Sequence, residues 1–207
     1  MPPDAHALVT LAQVREVIGD ESPAVAHKVF DRLGPTEQRF LAHAPFALLA
    51  TASADGVPDV SPKGDGPGFV HVEDERTLLV PERKGNRMIL GLRNLVENPR
   101  AALISLVPGT EETLRVHGRV ELTRDPAVLA RLAERGQPAL LAIRLHVERC
   151  FFHCAKAFRR SHLWQPDTWP ERVPISFGAL LAPKFGGDEA LAARIDESIE
   201  DDYRTNL

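Results

Sequence analysis

Apolar and polar residues alternate most strictly in the middle of the chain, where Leu114, Val116, Gly118, Val120 and Leu122 are interleaved with Arg115, His117, Arg119 and Glu121. A period of two puts the first set on one face of a strand and the second set on the other. Ile143, Leu145 and Val147 repeat the pattern against Arg144, His146 and Glu148, which predicts a last long strand reaching about Phe152. Shorter apolar runs at 46–51, 57–62, 69–72, 77–80 and 101–107 also read as strands. The turns between them are Ser53-Ala54-Asp55-Gly56, Glu73-Asp74-Glu75-Arg76 and Pro108-Gly109-Thr110. The loop Lys63-Gly64-Asp65-Gly66-Pro67-Gly68 fits inside no regular element.

Helical patterns lie on both sides. Thr10 with Gln13 makes a capping box that opens a helix through Ile18, before Gly19. Ser22-Pro23 opens a second, whose stripe of Val25, Val29 and Leu33 runs to Gly34. A third covers 36–43 and stops at Pro45. Within the strand region, 88–96 reads as a helix with Asn86 as its N-cap, ending before Asn98-Pro99. Asp125-Pro126 caps another, running to about Arg135 with Gly136 as terminator. Beyond 165 the chain is irregular and Pro-rich to Pro183, then helical from about Asp188 to Tyr203. About six turn-linked strands, helices inserted at two points and no βαβ alternation predict an α+β fold built on a small antiparallel barrel flanked by helices. One domain of 1–207 is expected, with a helical segment at 1–44, the barrel at 45–165 and an extension at 166–207 ending in a helix.

Composition narrows the function classes. Of 207 residues, 43% are hydrophobic and 26% charged, ordinary values for a globular protein. A formal charge of −4 and a pI near 6.1 argue against a general polyanion binder and leave a local anion site open. No apolar run reaches the roughly eighteen residues of a membrane helix. Met1-Pro2-Pro3-Asp4-Ala5-His6 has neither the basic nor the apolar region of a secretion signal, and Cys150 and Cys154 are the only cysteines. A reduced, cytoplasmic setting is therefore expected.

Three stretches carry candidate chemistry. In Pro81-Glu82-Arg83-Lys84-Gly85-Asn86-Arg87, three cations fall within five residues between a strand and a helix N-terminus, whose free N–H groups and dipole favour an anion. Arg87 in a first helical turn is unfavourable unless something negative sits there. A phosphate monoester suits guanidinium forks, and a solvated basic turn is the plainer alternative. The glycine-rich loop after Lys63 has the spacing of neither a P-loop nor a dinucleotide fingerprint. It reads as a close backbone approach to a flat ligand with Lys63 as donor, or as a wide hairpin. Finally, Lys156, Arg159 and Arg160 form a basic patch ahead of Trp164, an arrangement able to hold a flat anion or simply to cap the core. Cys150, His153 and Cys154 supply too few ligands for a closed metal site, and core cysteines are the expectation there. No triad or carboxylate pair stands out, and His71, His117 and His146 read as structural.

Taken in order, Val60-Ser61-Pro62-Lys63-Gly64-Asp65-Gly66-Pro67-Gly68-Phe69-Val70, Arg83-Lys84-Gly85-Asn86-Arg87, Asn98-Pro99, Pro108-Gly109 and Leu114-Arg115-Val116-His117-Gly118-Arg119 resemble the pyridoxamine 5′-phosphate oxidase-like FMN-binding split barrels. His153-Cys154-Ala155-Lys156-Ala157, Arg160-Ser161 and Leu163-Trp164 are similar to the branch of probable FMN-dependent enzymes whose substrate is unassigned. The resemblance covers about residues 10–165. It implies a six-stranded split barrel, a homodimer with FMN at the subunit interface, and oxidoreductase chemistry. It also implies that Arg83, Lys84, Asn86 and Arg87 hold the FMN phosphate, that Ser61, Pro62 and Lys63 line the flavin edge, and that Val80 and Pro81 approach by backbone. Lys156, Arg160, Ser161 and Trp164 resemble the group that reaches in from the partner chain. Two departures weaken the link to pyridoxine-phosphate chemistry itself: Pro58 stands where those oxidases carry arginine, and no Arg-x-His follows Trp164. A non-catalytic FMN carrier or sensor, and a heme or deazaflavin binder on the same barrel, are the alternatives. Cys154 and the histidines permit heme without requiring it.

Overall fold

A computed structural model describes residues 6–206. Met1 to Ala5, read above for a leader, and Leu207 lie outside the described residues. The elements run α1 (Leu11–Ile18), α2 (Pro23–Ala26), α3 (Pro35–His43), β1 (Phe46–Ala52), β2 (Pro58–Gly64), β3 (His71–Asp74), β4 (Thr77–Glu82), α4 (Leu90–Glu97), β5 (Arg100–Leu106), β6 (Thr113–Thr123), α5 (Pro126–Arg131), β7 (Leu141–His153), α6 (Lys156–Ser161), α7 (Phe177–Leu181) and α8 (Glu189–Thr205). Single 3₁₀ turns at Pro166–Thr168 and Ala182–Phe185 sit between the last three helices.

The strands form one antiparallel sheet in the order β2-β1-β5-β6-β7-β4-β3. It has seven strands rather than six. The run expected at 69–72 forms the short β3, which pairs with β4 at the sheet edge. The sheet curls without closing: β2 and β3 are its two edges. At one end side chains bridge the gap, Lys63 Nζ lying 2.7 Å from Glu82 Oε2 and Arg83 Nε 2.7 Å from Asp65 Oδ2.

The strictest alternation became the core wall. Leu114, Val116 and Val120 of β6 and Ile143, Leu145 and Val147 of β7 face inward with Leu49, Leu103, Leu78 and Val80, and α3 and α4 cap them with Leu41 and Leu95. In β4, Thr77 to Pro81 are all buried. Its other face, at Leu79, is covered by Val128, Leu129 and Leu132 from α5 and the residue after it. Both faces are thus dry, so the strand shows no alternation.

Three helices differ from their expected form. The second is a single turn, because Phe30 leaves the helical path to exchange two backbone hydrogen bonds with Cys150. Asp125 does cap α5, accepting from the Ala127 N–H, but the helix ends at Arg131. Arg135 and Gly136 both take positive φ, 50° and 77°, inside a tight turn in which Glu134 and Gln137 exchange backbone bonds. Gly136 is therefore a hairpin glycine and not a helix terminator. Asn86 is not the N-cap of α4, which begins four residues later with Ile89 in that position. Its Oδ1 accepts from the Met88 N–H at 2.9 Å, a turn ahead of the helix. The capping box of Thr10 and Gln13 is formed as expected, both halves present.

Candidate functional site

Three elements meet at one end of the curled sheet: the exit of β2, the exit of β4 and the first turn of α4. Along β2, Asp59, Ser61 and Lys63 are half-buried, while Pro58, Val60, Pro62 and Gly64 point the other way and are exposed. The sequence-selected trio is thus split by the pleat, with Ser61 and Lys63 on the enclosed face and Pro62 on the outer one. Val80 and Pro81 close β4 and are buried. Their backbone is engaged in register with Ile143 and Ala142.

The basic run leaves β4 and fans apart. Arg83 turns inward. Its Nε donates to Asp65, its Nη2 donates to the Leu132 carbonyl at 2.7 Å, and its Nη1 is buried without a hydrogen-bond partner. Lys84 reaches the other end of the chain and donates from Nζ to Asn206 Oδ1. Asn86 and Arg87 are exposed. Arg87 takes φ 60°, a left-handed conformation that a bulky residue rarely adopts, and has no ion-pair partner among the described residues. It stands outside α4, three residues before the first helical position, so it does not oppose the helix dipole from within the first turn.

Beneath α4 lies a polar cluster that sequence reasoning missed. A Cβ on Gly91, in the first turn, would stand 3.4 Å from Asp59 Oδ2, 3.7 Å from Ser61 Oγ and 3.8 Å from Thr51 Oγ1. The helix backbone thus packs directly over the polar side chains of the strand. Asn94, one turn on, donates its side-chain amide to Thr51 Oγ1 at 3.1 Å, and both residues are buried. The i, i+2, i+4 spacing of Asp59, Ser61 and Lys63 was visible in the sequence, but β2 is too polar for periodicity to reveal which face is enclosed. Asp65 and Glu82, which neutralise Arg83 and Lys63, lie beside the cations in sequence yet pair across the gap rather than with their neighbours.

The second basic group stands apart from the first. On α6, Lys156, Arg160 and Ser161 are exposed, and the Ser161 hydroxyl donates to the Phe158 carbonyl. Trp164 stacks on Phe158 with ring centres 5.6 Å apart and donates its indole N–H to the Thr110 carbonyl at 2.8 Å. Arg159 pairs with Glu111 at 2.7 Å. This group is therefore moored to the β5–β6 turn. Register fixes the separation: Glu82 pairs with Leu141 at the start of β7, and Thr113 pairs with His153 at its end. Twelve steps of about 3.3 Å make roughly 40 Å of strand between the two groups. The two groups of one chain thus sit at opposite ends of β7.

Of the two cysteines expected in the core, one is there and the other is at the surface. Cys150 is buried, donates to the Arg32 carbonyl, and has its thiol pushed up to about 11 by burial, with the carboxylates of Glu37 and Asp31 adding to the shift. Cys154 is exposed. His146 lies 3.5 Å from Glu121. Among the described residues, no group of three or more His, Cys, Asp or Glu is placed to hold a metal ion, and no helix is long and apolar enough to cross a membrane.

Chemically, the β4–α4 corner offers donors of the kind an oxyanion accepts. A buried arginine N–H without an acceptor is costly, and Lys84 and Arg87 follow it in sequence, exposed, ahead of a helix with no side-chain cap.

Comparison with known proteins adds the following. The family described as pyridoxamine 5′-phosphate oxidase matches residues 33–154, more than half of the chain. No curated protein matches. Among solved structures, HupZ of Group A Streptococcus is 18% identical over 58% of this chain and 93% of its own, with a TM-score of 0.48. A candidate pyridoxamine 5′-phosphate oxidase from Lactobacillus delbrueckii is 25% identical over 59% of this chain and 95% of its own, with a TM-score of 0.46. HutZ, described as the heme storage protein of Vibrio cholerae, is 19% identical over 58% and 94%, with a TM-score of 0.41.

Proposed function

Because the chain belongs to the pyridoxamine 5′-phosphate oxidase family, we propose that it is a flavoprotein that binds FMN between two copies of itself and acts as an FMN-dependent oxidoreductase. The observation that carries this reading is the β4–α4 corner, where a buried arginine donor lacks an acceptor and two further cations stand beside it. Arg83, Lys84, Asn86 and Arg87 hold the phosphate. Ser61 and Lys63 line the flavin edge from the enclosed face of β2, with Pro62 behind them, and Val80 and Pro81 shape the floor by backbone.

Lys156, Arg160, Ser161 and Trp164 come from the partner copy, a reading supported by the length of β7 that holds them away from the corner of their own chain. The curled sheet, one edge of which carries this site, is on this reading a split barrel of the family type. When bound, FMN supplies the redox chemistry of its isoalloxazine ring, and the chain supplies position and local charge. Lys63 places a cation at the ring edge, tempered by Glu82 at 2.7 Å.

The test is to denature the protein as purified and identify what it releases by absorbance and mass spectrometry. One FMN per chain is the expected result. Heme, F420, or a colourless protein that takes up no added FMN overturns the proposal. Anaerobic bleaching by NADH or NADPH then separates an enzyme from a carrier, since a carrier stays oxidised against every donor.

A further inference from the structure

The outer face of the sheet carries a groove of about 510 Å³ that the flavin reading leaves unused. That volume lies within the range of small-molecule sites. Its floor is low and apolar, formed by the half-buried methyl groups of Ala50, Ala52 and Ala102. One row of the sheet crosses it: Ala50 pairs with Ala102, Ala102 with His117, and His117 with Arg149. At about 4.8 Å per strand, Arg149 stands roughly 10 Å from Ala102, the length of a fused ring carrying an acid group.

The charged end is built by a β-bulge. The register between β6 and β7 shifts at His117 and Gly118, leaving Glu148 as the extra residue. Gly118 is obligatory there, since a Cβ would stand 1.9 Å from the His146 carbonyl oxygen. The bulge turns both Glu148 and Arg149 outward, and Arg100 takes Glu148 at 2.8 Å. Arg149 is left with no ion-pair partner among the described residues. Around it, Arg115 lies over the Phe151 ring at 5.9 Å, and His117 stacks on the same ring at 5.7 Å. The Nε2 of His117 and the Nε of Arg115 are buried without hydrogen-bond partners. Burial, with Arg149 and Arg115 adding to it, lowers the pKa of His117 and so favours the neutral imidazole. An uncompensated positive end on a chain of net charge −4, joined to a flat apolar floor, is a specific combination.

We propose that this groove binds a flat, carboxylate-bearing small molecule, its ring on the alanine floor and its carboxylate on the Arg149 guanidinium. A carboxylate takes two donors of that fork at once, and a ring body distinguishes the ligand from a compact anion. The inference stands independently of the flavin proposal, because none of these residues belongs to the β4–α4 corner.

The experiment titrates the purified full-length protein with 2-naphthoate, its uncharged amide 2-naphthamide, and inorganic phosphate by calorimetry. The expected result is saturable binding of 2-naphthoate, with the amide and phosphate each at least about tenfold weaker. Arg149→Ala and, separately, Ala102→Leu, which fills the floor, each weaken 2-naphthoate by about tenfold or more and leave FMN binding unchanged. No binding of 2-naphthoate, equal binding of the amide, or unchanged affinity in a folded variant overturns the proposal. So does competition between 2-naphthoate and FMN, which would place the ligand in the flavin corner. Either variant suffices if the other fails to fold.

Discussion

Replacing Arg83 and Arg87 together by alanine tests the phosphate corner most directly, and its size follows from the geometry. Arg83 has spent two of its three nitrogens on Asp65 and on the Leu132 carbonyl, so it has one left for a ligand. Arg87 is exposed and unpaired, and can offer a two-pronged fork. Three charge-assisted bonds at the lower end of their range, about 1.5 kcal/mol each, give about 4–5 kcal/mol. At about 1.4 kcal/mol per tenfold, FMN affinity should fall by about three powers of ten. Riboflavin, which lacks the phosphate, should bind the variant and the parent alike. Fluorescence quenching on titration with each flavin measures both. Arg83→Ala also strands Asp65, whose side chain is only 13% exposed, so a thermal melt must accompany the titration. Arg87→Ala alone removes no structural contact and keeps the test readable if the double variant is unstable. An unchanged ratio of FMN to riboflavin affinity in folded protein refutes the assignment.

Glu73 is one of four carboxylates, with Asp31, Asp188 and Asp196, that should make the fold acid-sensitive. A hydrogen bond from Arg131, then the nearby charges of Arg144 and Arg131, hold its carboxyl below the usual range. A lowered folded-state value means stability that is present above the unfolded pKa, near 4.5, and is lost as pH falls through the folded one. Glu73→Gln should therefore cost about 1 kcal/mol in urea unfolding at pH 7, and the gap to the parent should narrow as pH falls below 4.5 and close once Glu73 is protonated in the folded protein too. A gap that persists there contradicts the ion-pair account. Thiol titration with an aromatic disulfide should count one reactive cysteine in native protein, Cys154, and two after denaturation, because Cys150 is buried with its pKa raised to about 11. Co-expressing an Arg83→Ala/Arg87→Ala chain with a Lys156→Ala/Arg160→Ala chain should restore one FMN site per mixed dimer, since one of its two sites then draws both groups from intact positions. Two damaged sites per mixed dimer would mean that each chain builds its own.

How much of this was legible in the sequence differs from element to element. The alternation through β6 and β7 was plain because each presents one wet and one dry face, and the box of Thr10 and Gln13 because both of its bonds are local. The second helix misled because the bond that ends it, from Phe30 to Cys150, spans 120 positions and leaves no local mark. Gly136 was placed correctly in a turn region but with the wrong partner, since a helix terminator and a two-residue hairpin both require positive φ. At the site, the clustering of cations in the basic run was readable, and the proposed anion site rests on it. The division of labour within it was not, because that depends on which carboxylates the fold brings alongside.

That division explains why the corner carries more cations than one phosphate requires. Each of the two exits bears one cation and one carboxylate: Lys63 and Asp65 at the end of β2, Glu82 and Arg83 at the end of β4. The curl of the sheet lays the exits side by side, and the charges pair crosswise, Lys63 with Glu82 and Arg83 with Asp65. These two pairs join strands that share no backbone ladder, so they hold the open end of the sheet in place. They also cancel, leaving no net charge for a ligand. Asp59 near the first turn of α4 subtracts further. The attraction for an anion therefore falls to Lys84 and Arg87, with Arg83 acting chiefly by position: fixed at two nitrogens, it presents the third without the entropy loss of a free side chain. A corner with Arg83 alone would be rigid but neutral, and one with Lys84 and Arg87 alone would be charged but loose. On the proposed reading, the three cations in five residues are one anchor and two receptors.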